Sequence, residues 1–258
     1  MKAGFIGCGA GLLAKAMEDA GIEIDFGIDI NKLACKNFEK NFTKSKVYNI
    51  DIRFHTHFNW DRLLKADIWA FTLPCQSFSY ANQNRTENPE LLFYSLYLIH
   101  LHKPKYWFIE NVPNVVKFMP KSADVKIFKM CQFGNKQKRA RMFYSNFDLG
   151  LLKTGKHSVP AVTKSGNGNT RYYGYTDFET ALERMGFANK GLKLLGNSNE
   201  RKALIGEGVV YEMGFHIGKA ILSLECKRKK EECCQSCISN YHIQHIERKE
   251  RSFQDYMK

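Results

Sequence analysis

The sequence contains no run near the ~18 consecutive apolar residues that a membrane-spanning helix requires, which argues against a helical membrane protein. It shows no secretory pattern either: Ala3-Gly4-Phe5-Ile6-Gly7 passes straight into a glycine turn, without the longer apolar stretch and cleavage site of a leader. A cytoplasmic protein is the expectation. No internal repeat is visible, so solenoids and propellers are set aside. Acidic residues are comparatively few, 26 Asp+Glu against 39 Lys+Arg in 258 residues, for a net charge of +13. Such a surplus suits a polyanionic partner, because each neutralised phosphate releases counterions; it also serves plain solubility. The eight cysteines form no disulfide framework. They scatter and then bunch near the end, as reduced thiols do.

Hydrophobic residues make up 44% and aromatics 13% of the chain, enough to fill a core. Short apolar runs alternate with amphipathic stretches, the pattern of βαβ units. Strands are expected at Ala3–Ile6, Ile24–Ile28, Val47–Tyr48, Ile68–Phe71 and Tyr106–Ile109, with a closing pair at Phe128–Phe133 and Arg141–Ser145. Helices are expected at Leu12–Ala20, Lys32–Asn41, Leu91–Leu101, Phe178–Met185 and Val209–Leu224. The fold class is therefore α/β: a mostly parallel, Rossmann-like sheet with helices on both faces and a small C-terminal appendage. Residues 1–145 read as the catalytic and cofactor-binding core, 146–175 as a polar loop, 176–224 as the end of the core, and 225–258 as a basic tail.

Two groups of residues suggest chemistry. Gly7-Cys8-Gly9-Ala10-Gly11 after the first strand is a turn whose small residues let a ligand approach and whose amides can face it. Asp29 and Asp51 end the next two strands, where carboxylates meet ribose hydroxyls or an adenine amine. NAD, FAD and other adenosine cofactors fit this pattern equally. In the second group, Pro74-Cys75-Gln76 follows the fourth strand, placing a thiol at the crevice, where a following helix N-terminus lowers a thiol pKa. Glu110, closing the fifth strand, faces the same crevice; burial there favours its protonated form. Arg139 and Arg141, two apart on a strand, are expected to point the same way. Cys8, Cys35 and Cys131 read as structural.

Phe5-x-Gly7-x-Gly9, Asp29, Asp51-Ile52, Pro74-Cys75-Gln76-Ser77-Phe78-Ser79, Glu110-Asn111-Val112 and Gln137-x-Arg139-x-Arg141 resemble, in order and rough spacing, the cytosine-C5 DNA methyltransferases. The resemblance covers about residues 3–145 and resumes at 176–187 and 205–221. It implies an S-adenosylmethionine-dependent methyltransferase fold and methylation of C5 on a cytosine flipped out of double-stranded DNA. It implies Cys75 as nucleophile on C6, Glu110 on N3 and the exocyclic amine, Arg141 on O2, and Arg139 in support. For the cofactor it implies Phe5 on the adenine, Asp29 on the ribose and Asp51 on the adenine amine, with Gly7, Gly9, Ile30, Ile52, Pro74, Glu207 and Val209 beside them. Gln76, Ser79, Asn111 and Val112 fall on the substrate side. RNA cytosine methylation, or a non-catalytic subunit of a methyltransferase complex, are the alternatives. A bacterial, phage or viral origin fits the resemblance, and restriction–modification, phage self-protection and gene regulation all use such a site.

The chain departs from the family pattern at three places. Thr72-Leu73 replaces the usual pair before Pro74. The last motif is read at Gly206-Glu207-Gly208-Val209, where Glu207 stands for an asparagine, and Gly196-Asn197-Ser198 is read as an ordinary turn. Most consequentially, 146–175 is shorter than the ~40 residues below which folded units usually need staples. Short or weak sequence specificity, or recognition supplied by a protein partner, follows. In the tail, Cys234-x-x-Cys237 and His242-x-x-His245 are paired zinc-ligand types at spacings unlike common fingers. A charged tail with incidental cysteines is the other reading. That tail contributes a surplus of only about two positive charges, so most of the basic field lies on the body.

Overall fold

The computed structural model describes residues 1–57, 65–79, 86–150, 152, 155–156, 158–161 and 177–228. Nine strands are described: β1 (Lys2–Ile6), β2 (Glu23–Asp29), β3 (Lys46–Asn49), β4 (Ile68–Phe71), β5 (Tyr106–Asn111), β6 (Lys126–Lys129), β7 (Gln137–Lys138), β8 (Ala140–Ser145) and β9 (Val159–Pro160). Six α-helices accompany them: α1 (Leu12–Asp19), α2 (Lys32–Asn41), α3 (Glu90–His102), α4 (Phe178–Arg184), α5 (Ser198–Glu207) and α6 (Tyr211–Arg228). The main sheet has the order β3-β2-β1-β4-β5-β8-β6. Its first five strands run parallel, and β8 joins β5 and β6 antiparallel. A small second sheet pairs β7 with β9.

Alternation along the strands divides the core in two. Ala3 and Phe5 of β1 point to the face covered by α1 and α6, where they join Leu13, Met17, Met213 and Ile217. Ile6, Ile28, Trp69, Phe71 and Ile109 point to the other face, against Leu98 and Ile99 of α3. Both faces are covered, so the central strands are apolar throughout, as buried parallel strands are. The order reverses between β1 and β4, which carry the chain outward in opposite directions around one crevice.

The helix α6 closes the structure by lying very near α1. A Cβ added at Gly214 would meet the Ala16 Cβ at 2.7 Å, and one at Gly218 would meet the Ala20 Cβ at 2.7 Å. Gly214→Val is therefore expected to destabilise by about 2 kcal/mol net of improved helix propensity. Differential scanning calorimetry should show a melting temperature lower by roughly 4–8 °C; an unchanged value would contradict the close contact.

Several expectations are corrected. The strand expected over Phe128–Phe133 ends at Lys129, and Met130–Phe133 is a 3-10 turn. Asn197 is not in an ordinary turn. Its side chain accepts from Glu200 N–H while the Glu200 carboxylate accepts from Asn197 N–H, a capping box that starts α5. The last helix runs to Arg228, past position 225 where the composition changes.

Candidate active site

The carboxyl ends of β1, β2, β4 and β5 surround a cavity of about 260 Å³, near the small end of ligand clefts. Gly7, Gly9, Asp29, Ile30, Pro74, Cys75, Gln76, Glu110, Glu207 and Val209 all line it, so ten sequence candidates converge there.

The floor is the glycine turn. Gly9 has φ 53°, a left-handed conformation that favours glycine. A Cβ at Gly9 would meet nothing within 4 Å, so the main chain borders open space. Three of the turn's amides are already used, contrary to the expectation that they face a ligand. Gly7 and Cys8 N–H donate to Ile28 O at 2.8 and 2.9 Å, and Gly9 N–H donates to Asp29 Oδ2 at 2.9 Å. The other Asp29 oxygen accepts from Asn31 N–H at 2.8 Å. Burial, reinforced by the Glu207 charge, pushes the Asp29 carboxyl up, while these amides pull it down. Beside it, Ile30 is 62% exposed, an apolar surface held at the cavity rather than in the core.

The wall is built by the segment after β4. Thr72 Oγ1 donates to Gly7 O at 2.8 Å and Thr72 N–H to Ile6 O at 2.9 Å, tying this segment to the floor. Asn111 Nδ2 donates to Leu73 O at 3.3 Å, and Asn114 Nδ2 to Phe78 O at 2.8 Å. Cys75 O accepts from Phe78 and Ser79 N–H, at 3.0 and 2.9 Å. Residues 76–78 thus form a turn rather than the start of a helix, and the expected lowering of the Cys75 pKa does not follow. Burial pushes the thiol up; the Arg141 charge opposes this, and the Glu110 and Glu207 charges add to it.

Glu110 and Arg141 form a buried ion pair, Nε to Oε1 at 2.6 Å, with side chains 7% and 8% exposed. The pair lacks hydrogen-bond alignment at Oε1, which has no hydrogen-bond partner among the described residues. Burial pushes the Glu110 carboxyl up, and Arg141 pulls it back only in part. A buried carboxyl that holds its proton to higher pH can act as a donor, and the Cys75 thiol lines the same cavity.

The two arginines do not point the same way, because the chain turns at Arg139 between β7 and β8, with Arg139 N–H donating to Gln137 O at 2.9 Å. Arg139 Nη2 donates to Gly206 O at 3.1 Å and Gly208 O at 2.7 Å, so it fixes the end of α5 that carries Glu207 and Val209. Arg139 and Arg141 both stand behind the cavity lining rather than in it.

Other candidates lie elsewhere. Phe5 is 1% exposed and packs on Phe38, since its strand position directs it under α1 and α2 instead of into the crevice. Asp51 is taken by Arg53, whose Nε lies 3.0 Å from both carboxylate oxygens, and this partner pulls the Asp51 carboxyl down. Ile52 and Val112 are buried in the second core, and Ser79 is outside the cavity lining. Asn111 holds Leu73 and does not line the cavity. Cys8, read as structural, does line it, as do Thr72, from the pair before Pro74, and Asn31 and Leu204, which carry no motif signal. Cys234, Cys237, His242 and His245 fall outside the described residues, and no cluster of three metal-ligating side chains occurs among the described ones.

A type II methyltransferase of Staphylococcus aureus, M.Sau96I, is 34% identical over 113 residues, 42% of this chain and 26% of that relative. The match thus spans about a quarter of the curated relative's length. Among solved structures, the Dnmt2 methyltransferase of S. pombe superposes with a TM-score of 0.60 at 15% identity, over 87% of this chain and 99% of that one. The Entamoeba histolytica methyltransferase EhMeth gives 0.59 at 15% identity, over 86% and 98%. Both share the fold. Residues 5–171 match the C-5 cytosine-specific DNA methylases, and with well over half its length inside that match, the chain belongs to this family.

Proposed function

We propose that the protein transfers a methyl group from S-adenosylmethionine to C5 of a cytosine in DNA, through a covalent Cys75 adduct. The observation that carries this reading is that Cys75 and Glu110 line one cavity while Arg141 is ion-paired to Glu110 behind it. The cavity suits an adenosine cofactor. Open space over Gly9, the Asp29 carboxylate and the exposed apolar Ile30 supply room, a hydroxyl acceptor and a platform for a flat base. Bound there, S-adenosylmethionine supplies an electrophilic methyl group to a carbon that cytosine alone does not make nucleophilic.

The protein's own groups create that nucleophile. The Cys75 thiolate adds to C6, breaking the C5–C6 double bond, while protonated Glu110 donates to N3 and takes up the charge that would otherwise build on the ring. C5 becomes the nucleophilic carbon of an enamine. After methylation, loss of the C5 proton expels Cys75 and restores the double bond. The ion pair with Arg141, standing behind the cavity lining, orients Glu110. None of these atoms reaches a base inside a duplex, so the cytosine must be extruded. The +13 net charge supports a polyanionic substrate. The short 146–175 segment supports recognition of a short or loosely defined site.

Incubation of the purified chain with tritiated S-adenosylmethionine and matched duplex DNA or RNA tests the proposal. Label is expected in DNA cytosine; label in RNA alone would transfer the chemistry to the other substrate, and no label in either would remove the proposal. Sequencing of the methylated cytosines should then show a short recognition context.

A further inference from the structure

The floor and the wall of the cavity separate where the ladder between β1 and β4 ends. Those strands pair in parallel as far as Ile6 and Phe71, and Thr72 N–H extends the ladder by donating to Ile6 O at 2.9 Å. Beyond that point β1 enters the glycine turn and α1, while β4 enters the segment that carries Cys75. A side chain then continues the link that the backbone no longer makes: Thr72 Oγ1 donates to Gly7 O at 2.8 Å. Thr72 also lines the cavity and belongs to a residue pair that departs from the family pattern.

The approach at this point is close. A Cβ added at Gly7 would meet Thr72 O at 2.6 Å and Leu73 Cα at 3.3 Å, and Gly7 has φ 76°, which favours glycine. Gly7 N–H donates to Ile28 O at 2.8 Å, so the residue is held from β2 on one side and from Thr72 on the other. It therefore joins the end of β2 and the glycine turn to the wall, with Cys75 only three residues beyond Thr72. A β-branched side chain has few rotamers, which keeps the hydroxyl aimed at this carbonyl.

The proposed reaction has two geometric requirements, and they fall on different sides of this link. Addition of Cys75 to C6 needs the wall and Glu110 alone. Methyl transfer needs, in addition, a donor held over the glycine turn with its methyl carbon in line with C5. We propose that Thr72 is a positioning residue, aligning the methyl donor with the cytosine adduct through the bond from its hydroxyl to Gly7 O. The inference rests on the proposed methyltransferase function and adds the residue that fixes the nucleophile relative to the cofactor floor.

Two rates separate the requirements. Without a methyl donor, the Cys75 adduct can take a solvent proton at C5, lose the original one and expel Cys75, which exchanges the C5 hydrogen. Release of tritium from DNA labelled at cytosine C5 measures addition, and single-turnover transfer of labelled methyl measures alignment. Thr72→Val keeps the shape and removes the donor. Transfer should fall roughly 10- to 100-fold, the range of a small misplacement, while exchange and the calorimetric Kd for S-adenosylmethionine stay within about threefold. Thr72→Ala should do the same, and Thr72→Ser, which keeps a hydroxyl, should recover most of the lost transfer. Loss of folded protein lowers both rates alike, so the ratio of transfer to exchange decides; where exchange is too slow to measure, the split between transfer rate and Kd decides with the serine rescue. If wild type transfers methyl and the variants leave the ratio unchanged, or serine rescues nothing, the positioning role is overturned and the proposed function stands. If wild type shows neither exchange nor transfer, the proposed function and the inference both fall.

Discussion

Cys75→Ser is expected to remove methyl transfer by a factor of roughly 10⁴ or more, as loss of a nucleophile typically does. A serine hydroxyl ionises far less readily than a thiol and is a weaker nucleophile towards C6. The loss should appear in kcat, while the Kd for S-adenosylmethionine stays within about threefold of wild type, because Cys75 is only one residue of a lining dominated by the glycine turn and the ends of β2 and α5. Single-turnover transfer of tritiated methyl to duplex DNA measures the first quantity and calorimetry the second. A substrate carrying fluorine at C5 adds an independent readout. Fluorine cannot leave as a proton does, so the Cys75 adduct should persist as a denaturation-resistant complex with wild type and be missing with Cys75→Ser. Equal incorporation by the two proteins would remove Cys75 from the mechanism altogether.

The sequence made that residue visible because strand ends are legible. Apolar runs at β1, β4 and β5 stop abruptly at Gly7, Thr72 and Glu110, and in a parallel sheet those stops share one edge. Depth was not legible. Phe5 precedes the glycine turn by two residues, yet strand alternation decides only its face, and packing with Phe38 takes it out of the cavity. Asp51 illustrates a second limit: a strand-end carboxylate is claimed by the nearest guanidinium, and Arg53 lies two residues on. Helix α5 was missed because its apolar residues, Ala203, Leu204 and Ile205, are contiguous and draw no stripe at helical spacing. Its capping box was present in the letters Asn197 and Glu200 but was masked by the resemblance of Gly196-Asn197-Ser198 to a motif. The arginine pair failed on geometry, since period-two reasoning holds only along an unbroken strand and the chain turns at Arg139.

That turn divides one short motif between two tasks. Gln137 Nε2 donates to Arg184 O at 2.6 Å, holding the helix α4 in place. Arg139 secures the end of α5 through Gly206 and Gly208, and Arg141 is ion-paired to Glu110. The antiparallel strand β8, set between β5 and β6, thereby helps join the two sides of the cavity, and the C-terminal segment, far away in sequence, is fastened to the turn that leads into the strand bearing Arg141. Cys75 and the glycine-turn floor are set relative to each other by strands and arginines, leaving the residues after Cys75 to a turn held mainly by backbone hydrogen bonds.

Glu110→Gln is the variant expected to separate binding from chemistry most cleanly. The substituted amide keeps the shape and the place beside Arg141, but it no longer passes a proton to N3. A fall in kcat of roughly 10²- to 10⁴-fold is expected, the range of a positioned acid, with cofactor Kd little changed. The pH profile gives a sharper test. Burial pushes both the carboxyl of Glu110 and the thiol of Cys75 up. Catalysis needs one proton on the pair: on Glu110 when Cys75 attacks. Below the Glu110 pKa both groups are protonated and the thiolate is missing; above the Cys75 pKa both are ionised and the acid is missing. Wild-type kcat/KM should therefore rise with pH through the carboxyl titration and fall through the thiol titration, with apparent values belonging to the pair. In Glu110→Gln the bell should give way to one limb that rises through the thiol titration and then stays level, because the thiolate alone is then required. A wild-type profile with no acid limb above the ordinary carboxylate range, or a bell that survives in Glu110→Gln, would show that another group supplies the proton.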